Sequence, residues 1–306
     1  MTKWTSKNIP PQRGRSAVVT GTGGLGFEGA LALARAGASV LIAGRNAQKG
    51  TEAVAAIKQA VPGAQVRFSK IDLADLASIA GFAAQVAQDQ DNLDLLINNA
   101  GVMAPPERRE TSDGFELQFG TNYLGHFALT AHLLPLLKKG HKPRVVSLGS
   151  IAVRDGTGAI NFDDLQAEHD YKPMPAYSQS KLACIMFAFE LDRRSKSAGW
   201  GVESLAAHPG VSRTDLLPNG SGPQSTAARM RRFLPFLFQP VWQGALPTLY
   251  AATDPSARGG AYYGPNGLGR IRGYPAEEKP AKQALDAVAA ALLWDISEEL
   301  TNVMFV

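Results

Sequence analysis

The feature that most constrains the fold is an alternation of short apolar segments with helical segments, which begins with a glycine-rich turn. Ser16–Thr20 is an apolar, β-branched run that predicts a buried strand, and a loop rich in glycine follows at residues 21–26. Residues 27–36 are rich in alanine and leucine and predict a helix that ends at Gly37. Glycine lets the backbone approach a phosphate closely, and a helix N-terminus attracts its negative charge. These elements together predict a phosphate-binding turn.

The same alternation continues through most of the chain. Further strands are predicted at Ser39–Gly44, 64–71, 93–97, Arg144–Leu148, 202–207 and 260–263. Helices are predicted at 46–60, 75–88, 111–139, 176–197, 243–253 and 281–300. This order predicts an α/β protein with a Rossmann-type doubly wound, mostly parallel sheet of about seven strands and helices on both faces. We expect one domain across residues 1–306, in which residues 151–175 and 212–242 form a substrate loop and a lid.

The residue after the second predicted strand favours one kind of dinucleotide. At this position a carboxylate binds the ribose 2′-hydroxyl of NAD, whereas an arginine accepts the 2′-phosphate of NADP. Arg45 follows Ser39–Gly44, and the strand end carries no Asp or Glu. The sequence therefore predicts NADP, with NAD as the less favoured alternative.

A tyrosine and a lysine four residues apart are candidates for proton transfer. Tyr177 and Lys181 lie in the helix predicted at residues 176–197, where this spacing places both side chains on one face. An ammonium group close to a phenol favours the phenolate, which suits a general acid and base. Such a pair alone is weak evidence, and its weight comes from the motifs around it.

Several further motifs stand at the ends of predicted strands and helices. They are the glycine turn, Asp72, Asn98-Asn99-Ala100-Gly101, Asn122, Ser150, Tyr177-x-x-x-Lys181 and Pro209-Gly210. With them the chain resembles the short-chain dehydrogenase/reductase superfamily from near Arg15 to near Thr301. It is most similar to the retinol-dehydrogenase-like branch, on the grounds of TNYLGHF at 121–127, the long loop before Tyr177, HPGVSRT at 208–214 and SEELT at 297–301.

The resemblance implies four catalytic residues. Tyr177 would exchange a proton with the substrate oxygen, and Lys181 would favour its phenolate and bind the nicotinamide ribose. Ser150 would donate a hydrogen bond to the carbonyl oxygen, where negative charge develops. Asn122 would hold a water that links Lys181 to solvent.

The resemblance also implies the residues that contact the cofactor. They are Gly21, Gly24, Leu25, Gly26, Arg45, Asp72, Leu73, Asn99, Ala100, Gly101, Tyr177, Lys181, Pro209, Gly210, Val211 and Thr214. The glycine loop is one residue shorter than the family's Gly-x-x-x-Gly-x-Gly spacing, which leaves open which glycine does what. Ser147 competes with Ser150, and we choose Ser150 because it follows the strand.

The function expected from these residues is an NADP(H)-dependent oxidoreductase that interconverts a carbonyl and an alcohol on an apolar substrate. One alternative is an epimerase or dehydratase that retains its cofactor, and another is a catalytically silent NADP(H)-sensing regulator. No metal is expected, because HExxH is absent and neither His126 nor His208 has a carboxylate or histidine at ligand spacing. Both histidines are interpreted as structural, and Cys184 as a buried, inert thiol.

The remaining expectations concern partners and location. The net charge is only +4 and basic residues are scattered, which argues against a nucleic-acid partner. The helix around residues 182–191 is apolar almost all round, so we expect a homodimer or higher homo-oligomer to cover one side. Residues 229–238 mix basic and aromatic side chains, for which a substrate lid is favoured over membrane-surface contact. The single cysteine and the polar N-terminus predict a cytoplasmic protein.

Overall fold

A mixed β-sheet organises the protein in the computed structural model, which describes residues 3–154, 158–212 and 239–306. Within these ranges the strands are β1 (Ser16–Thr20), β2 (Ser39–Gly44), β3 (Val66–Lys70), β4 (Leu95–Asn98), β5 (Arg144–Leu148), β6 (Glu203–Ala207), β7 (Tyr262–Pro265) and β8 (Pro275–Glu277). They form one sheet in the order β3-β2-β1-β4-β5-β6-β7-β8, and only β7 and β8 pair antiparallel. The predicted Rossmann-type fold is confirmed. Strand β8 was not predicted, because it has only three residues and no apolar alternation.

Helices cover both faces of this sheet, as predicted. They are α1 (Gly24–Arg35), α2 (Ala47–Ala60), α3 (Leu76–Asp89), α4 (Gly125–Leu137), α5 (Pro173–Ala198), α6 (Val241–Gly244), α7 (Leu246–Thr253) and α8 (Ala287–Thr301). Val18 and Leu41 point to the face covered by α3, α4, α5 and α8. Ala17 and Val40, one residue earlier, point to α1, α2 and α7. Each strand therefore buries both of its faces, which explains why the strands read as continuous apolar runs.

The strand order reverses at β1. This strand lies between β2 and β4, so the chain leaves it toward one edge of the sheet and later returns on its other side. Ligands of such sheets bind beyond the carboxyl ends of the strands at this reversal. In this protein the strands at the reversal are β1 and β4, which end at Thr20 and Asn98.

The helical stretch predicted from residue 111 begins later than the sequence indicated. Thr111 closes a turn instead, because its hydroxyl accepts the N–H of Phe115 at 3.1 Å and so competes with helix formation. The buried Glu116 carboxylate then accepts the N–H groups of Gln118 at 3.0 Å and Phe119 at 2.7 Å. These N–H groups have no partner within a helix that is just starting, so Glu116 caps the start.

The outer face of α5 is covered within the same chain. Phe187 of α5 stacks on Trp294 of α8 with ring centroids 5.7 Å apart, and Phe305 packs on Trp294 at 4.3 Å. Apolar residues all round α5 therefore reflect the sheet on one side and the C-terminal helix on the other. The premise on which the predicted homodimer rested is wrong, and an oligomer stays a prediction that needs other support.

Among the residues that the structure describes, no helix combines the length and the apolar character that crossing a lipid bilayer requires.

Candidate active site

The predicted site residues gather at one edge of the sheet. Gly21 follows β1, Arg45 follows β2, Asn99 follows β4, and Ser150 and Pro209 lie two residues beyond β5 and β6. Because these strands are parallel, their carboxyl ends share one edge, and the motifs form one crevice although they are far apart in sequence. Thr214 and most of the lid predicted at residues 212–242 lie outside the described residues.

Two glycines of the phosphate-binding turn occupy positions that exclude a side chain. A Cβ on Gly26 would lie 2.4 Å from the carbonyl oxygen of Gly21. Gly21 has φ +101°, and a Cβ there would lie 2.7 Å from Nδ2 of Asn99. Gly24 has φ +53° at the start of α1, whereas Gly23 has open space around it. The shortened loop therefore keeps Gly21 and Gly26 as its close-packed pair.

The nucleotide side of the crevice carries an exposed cation and a turn carboxylate. Arg45 is exposed and makes no hydrogen bond or ion pair with the described residues, so its guanidinium is available to an anion. Asp72 is half-buried, and its Oδ1 accepts the N–H of Ala74 at 3.0 Å. Leu73 is buried beside it. These positions are compatible with a dinucleotide whose adenosine end lies over β2 and β3.

Asn122 lies in a π-helical turn, Phe119–Leu124, that runs directly into α4. Such turns are rare and often occur at functional sites. The Asn122 side chain is fully buried: Oδ1 accepts the N–H of Val102 at 2.7 Å, and Nδ2 donates to the Val102 carbonyl at 3.0 Å and to Oγ of Ser180 at 2.9 Å. The turn thus fastens Asn122 both to the segment after Gly101 and to α5.

Tyr177 and Lys181 share the buried face of α5 that looks toward the crevice. Their exposed fractions are 5% and 4%. Nζ of Lys181 donates to the carbonyl oxygen of Leu148 at 3.0 Å, and a Cβ added to Gly101 would lie 3.6 Å from it. An ammonium has three N–H donors, and the described residues provide it with this one acceptor. Two of its N–H donors therefore have no acceptor among the described residues.

Ser150 lies at the end of β5, as predicted. Its Oγ accepts the N–H of Ala152 at 3.2 Å, so its own O–H remains free to donate to a substrate oxygen. Ser178 binds the Ala152 carbonyl at 3.3 Å and ties α5 to the same turn. Ser147, the competing serine, lies within β5, where its side chain is buried and has no hydrogen-bond partner among the described residues. The geometry therefore favours Ser150.

Glu278 and Tyr262 are polar residues near the crevice that the sequence motifs did not single out. Nε2 of His208 lies 2.9 Å from Oε1 of Glu278, and both side chains are buried. The geometry of this contact is outside that of a directed hydrogen bond. Glu278 is not at ligand spacing from His208 in the sequence: it follows the short β8, and no local spacing relates the two residues. Tyr262 of β7 lies beside Tyr177, with its hydroxyl 3.6 Å from a Cβ built on Gly149.

Glu278 connects separate segments around the crevice. Its Oε2 lies 3.3 Å from Arg154, in the predicted substrate loop, and 3.7 Å from Arg270, in the β7–β8 hairpin. Arg154 also donates to the carbonyl oxygen of Gly269 at 3.0 Å. The carboxylate therefore holds the loop after Ser150 against the hairpin.

Neutralising this carboxylate is expected to loosen the protein. We predict that Glu278→Gln lowers the free energy of unfolding by about 1–3 kcal/mol, because a buried anion is removed from two cations that are themselves partly hydrated. Urea denaturation measures the change. Glu277→Gln is the matched control: Glu277 pairs with the exposed Arg258, so its loss should cost less than about 0.5 kcal/mol. Equal effects of the two substitutions would contradict the assigned role of Glu278.

The interpretation of Cys184 as a buried thiol agrees with the structure. Cys184 is buried, and burial raises the pKa of its thiol, which disfavours the reactive thiolate. No group of three or more His, Cys, Asp or Glu side chains within residues 3–154, 158–212 and 239–306 is arranged to hold a metal ion. The donor set of the crevice, with a glycine turn, a free guanidinium and a buried ammonium, fits a dinucleotide.

The fold and this crevice define a Rossmann-type α/β protein in which one buried face of α5 carries Tyr177 and Lys181. A family model described as short chain dehydrogenase matches residues 15–222. The chain therefore belongs to the short-chain dehydrogenase/reductase family of oxidoreductases, in its retinol-dehydrogenase-like branch.

Individual relatives extend this match over almost the whole chain. Polyprenol dehydrogenase of Mus musculus is 40% identical over 300 residues, which cover 96% of this chain and 86% of that protein. Retinol dehydrogenase 12 of Mus musculus is 38% identical, covering 98% and 90% respectively. Among solved structures, an uncharacterised protein from Mycobacterium paratuberculosis is 39% identical over both full chains, with a TM-score of 0.81. A short-chain dehydrogenase from Shigella flexneri 2a, solved in complex with NADP, has a TM-score of 0.65 at 23% identity, covering 82% of this chain and 96% of that one.

Proposed function

We propose that the protein is an NADP(H)-dependent oxidoreductase that interconverts a carbonyl and an alcohol on an apolar substrate, with Tyr177 as general acid and base. The observation that carries the proposal is the buried face of α5, where Lys181 keeps two N–H donors available next to Gly101 and the end of β5. A buried cation without a carboxylate partner is costly unless it serves a ligand or a reacting group.

Each residue has a distinct part in the proposed reaction. In the reducing direction Tyr177 donates its phenolic proton to the substrate oxygen, and in the oxidising direction it accepts that proton. Lys181 stabilises the phenolate and donates to the ribose hydroxyls. Ser150 donates its free O–H to the same substrate oxygen as negative charge develops there. When bound, the nicotinamide supplies the hydride to the substrate carbon or accepts it from that carbon.

Two observations support the choice of substrate and cofactor. The relatives named polyprenol dehydrogenase and retinol dehydrogenase act, by name, on long apolar alcohols, and we propose a substrate of that kind. Arg45 presents an exposed guanidinium directly after β2, a position from which an arginine can accept a 2′-phosphate, and the Shigella flexneri 2a protein of similar fold was solved with NADP. A cytoplasmic location, a role for Thr214 in binding the cofactor and an aromatic lid at residues 212–242 remain predictions.

The proposal is tested by NADPH oxidation with a panel of apolar aldehydes and ketones, and by NADP⁺ reduction with the matching alcohols. Stoichiometric consumption of NADPH with one of these carbonyls would support it. Product formation without net change of the cofactor would indicate the retaining epimerase or dehydratase instead. Tight NADPH binding with no turnover of any compound would favour the sensing regulator.

Replacing Arg45 should separate the two cofactors. We expect Arg45→Ala to raise the KM for NADPH about tenfold or more and to leave the KM for NADH nearly unchanged, because only NADPH carries the 2′-phosphate. Lys49→Ala, which removes an exposed cation in the first turn of α2, serves as the control for general loss of positive charge. Equal increases for NADPH and NADH would reject Arg45 as the selective residue.

A further inference from the structure

His126 is buried at the junction of the two halves of the crevice. It lies in the first turn of α4 and is 3% exposed. Its Nε2 is 2.9 Å from Oγ1 of Thr20, at the end of β1, and its Nδ1 is 2.9 Å from the main-chain oxygen of Asn122. One imidazole therefore bridges the strand that precedes the glycine turn and the π-helical turn that carries Asn122.

The neighbours of His126 determine which ring nitrogen carries the proton. The carbonyl oxygen of Asn122 can only accept, so Nδ1 must be the donor. Oγ1 of Thr20 accepts the N–H groups of Asn99 at 2.9 Å and Ala100 at 3.0 Å, which occupy both of its lone pairs. The hydroxyl proton of Thr20 is left for Nε2 at 2.9 Å, since the alternative acceptor, the Ile97 carbonyl, is farther at 3.3 Å.

This arrangement requires a neutral ring. A second proton, on Nε2, would face a hydroxyl oxygen with no lone pair left to accept it. Burial lowers the pKa of His126 to about 4; the bond to Asn122 opposes this shift, and the nearby Lys181 adds to it. The other titratable group close by, the Cys184 thiol of α5, has its pKa raised by burial and is uncharged as well. His126 therefore carries no charge near neutral pH and acts through its two directed hydrogen bonds.

Both bonds lead to groups of the candidate active site. Through Thr20, His126 orients the hydroxyl that holds the turn at Asn99 and Ala100. Asn99 in turn donates through Nδ2 to the Thr20 carbonyl at 2.7 Å and packs against the close-approach glycines. Through Asn122, it fixes the backbone of the residue whose side chain holds Val102 and Ser180.

We propose that His126 is a positioning residue, a neutral Nδ1–H imidazole that couples the dinucleotide-side turn at Asn99 and Ala100 to the proton-handling residue Asn122. The expected effect of His126 on turnover rests on the proposed function. The expected tautomer of His126 and its expected effect on dinucleotide binding do not rest on that function. His126 was interpreted from the sequence as a structural histidine, and this proposal gives it a specific positioning role at the site.

Three substitutions of His126 test its hydrogen bonds to Thr20 and Asn122 separately. His126→Phe removes both. In His126→Asn the amide Nδ2 can occupy the place of Nδ1 and keep the bond to Asn122. In His126→Gln the amide oxygen can reach the place of Nε2 and accept the hydroxyl of Thr20.

The three variants have different expected effects on steady-state kinetics and on NADPH binding. For His126→Phe we expect about a 5- to 30-fold loss of kcat and a similar rise in the Kd for NADPH, the size expected for two lost hydrogen bonds. His126→Asn should recover most of kcat, and His126→Gln should recover most of the NADPH affinity. Unchanged kcat and Kd in His126→Phe, or recovery that does not follow this split, would overturn the proposal.

Tyr123→Phe is the matched control. Tyr123 lies in the same π-helical turn, is fully buried, and loses a 2.7 Å bond to Ser297 on the side away from the crevice. It should lower stability without changing kcat or the Kd for NADPH. If Tyr123→Phe changes these constants as much as His126→Phe does, the role of His126 is merely structural and the proposal fails.

A spectroscopic test needs no turnover. Two-bond ¹H–¹⁵N NMR spectra of the ¹⁵N-histidine-labelled full chain, assigned by comparison with His126→Asn, should have Nδ1 protonated and Nε2 unprotonated from pH 8 to about pH 5. A proton on Nε2, or titration near the ordinary value of about 6.5, would overturn the proposal. Because this readout and NADPH binding are independent of the substrate, they remain decisive if the carbonyl panel finds no activity.

Discussion

Tyr177→Phe is expected to reduce turnover by about 10²–10⁴-fold while leaving the Kd for NADPH nearly unchanged. Phenylalanine keeps the ring and its packing in α5, where Tyr177 is only 5% exposed, but removes the proton that the substrate oxygen must receive. Lys181 and the glycine turn are untouched, so dinucleotide binding should persist. The measurement combines steady-state NADPH oxidation with fluorescence titration of the cofactor.

Tyr262→Phe is the matched control for this experiment. Tyr262 is the neighbouring phenol, yet burial and the charge of Glu278 raise the pKa of its hydroxyl far above the usual range. It is therefore the poorer proton donor near neutral pH, and its loss should cost little turnover. If Tyr177→Phe keeps activity within about tenfold while Tyr262→Phe abolishes it, Tyr177 is not the general acid.

Trp294→Ala is expected to lower the free energy of unfolding by about 3–5 kcal/mol. The indole is 1% exposed and packs against Phe127 at 5.1 Å, Phe187 at 5.7 Å and Phe305 at 4.3 Å between ring centroids. Its Nε1–H has no acceptor among the described residues, so the loss comes from packing and from the cavity left behind. Urea denaturation monitored by circular dichroism measures the change.

The same helix provides the control. Val288 of α8 is 81% exposed, and Val288→Ala should change stability by less than about 0.5 kcal/mol. A loss below about 1 kcal/mol for Trp294→Ala would mean that α8 does not seal the outer face of α5. Size-exclusion chromatography with light scattering on both variants would also reveal whether opening this face lets two copies associate.

Local sequence patterns predicted several elements with their full bounds. Ser16–Thr20, Ser39–Gly44 and Arg144–Leu148 are strands as expected, because each is a short apolar run bounded by glycine or polar residues. Helix starts were less accurate. The helix α1 begins at Gly24 rather than at residue 27, because glycines inside its first turn read as loop. The stretch predicted as helix from residue 111 opens with a turn, because the Thr111 hydroxyl binds the backbone there.

The gathering of the candidate site residues at one edge of the sheet was also predictable. Its motifs follow strands, and parallel strands deliver their carboxyl ends to one edge whatever the distance along the chain. The pair Tyr177–Lys181 needed only the helical repeat. The homodimer was predicted because the helix around residues 182–191 is apolar almost all round. The sequence shows that this face is apolar, but it does not show which element covers it.

The sequence by itself determined the alternation of strands and helices, the glycine turn and the shared helix face of Tyr177 and Lys181, because each depends on residues a few positions apart. Only the tertiary structure decided that α8 covers α5, that Glu278 lies beside His208, and that His126 spans Thr20 and Asn122. The bond between Thr20 and His126 joins residues 106 positions apart, and a separation of that size leaves no period in the sequence. The direction of each hydrogen bond in a buried site depends on which donors and acceptors lie within reach of one another. Only the folded chain brings those groups together.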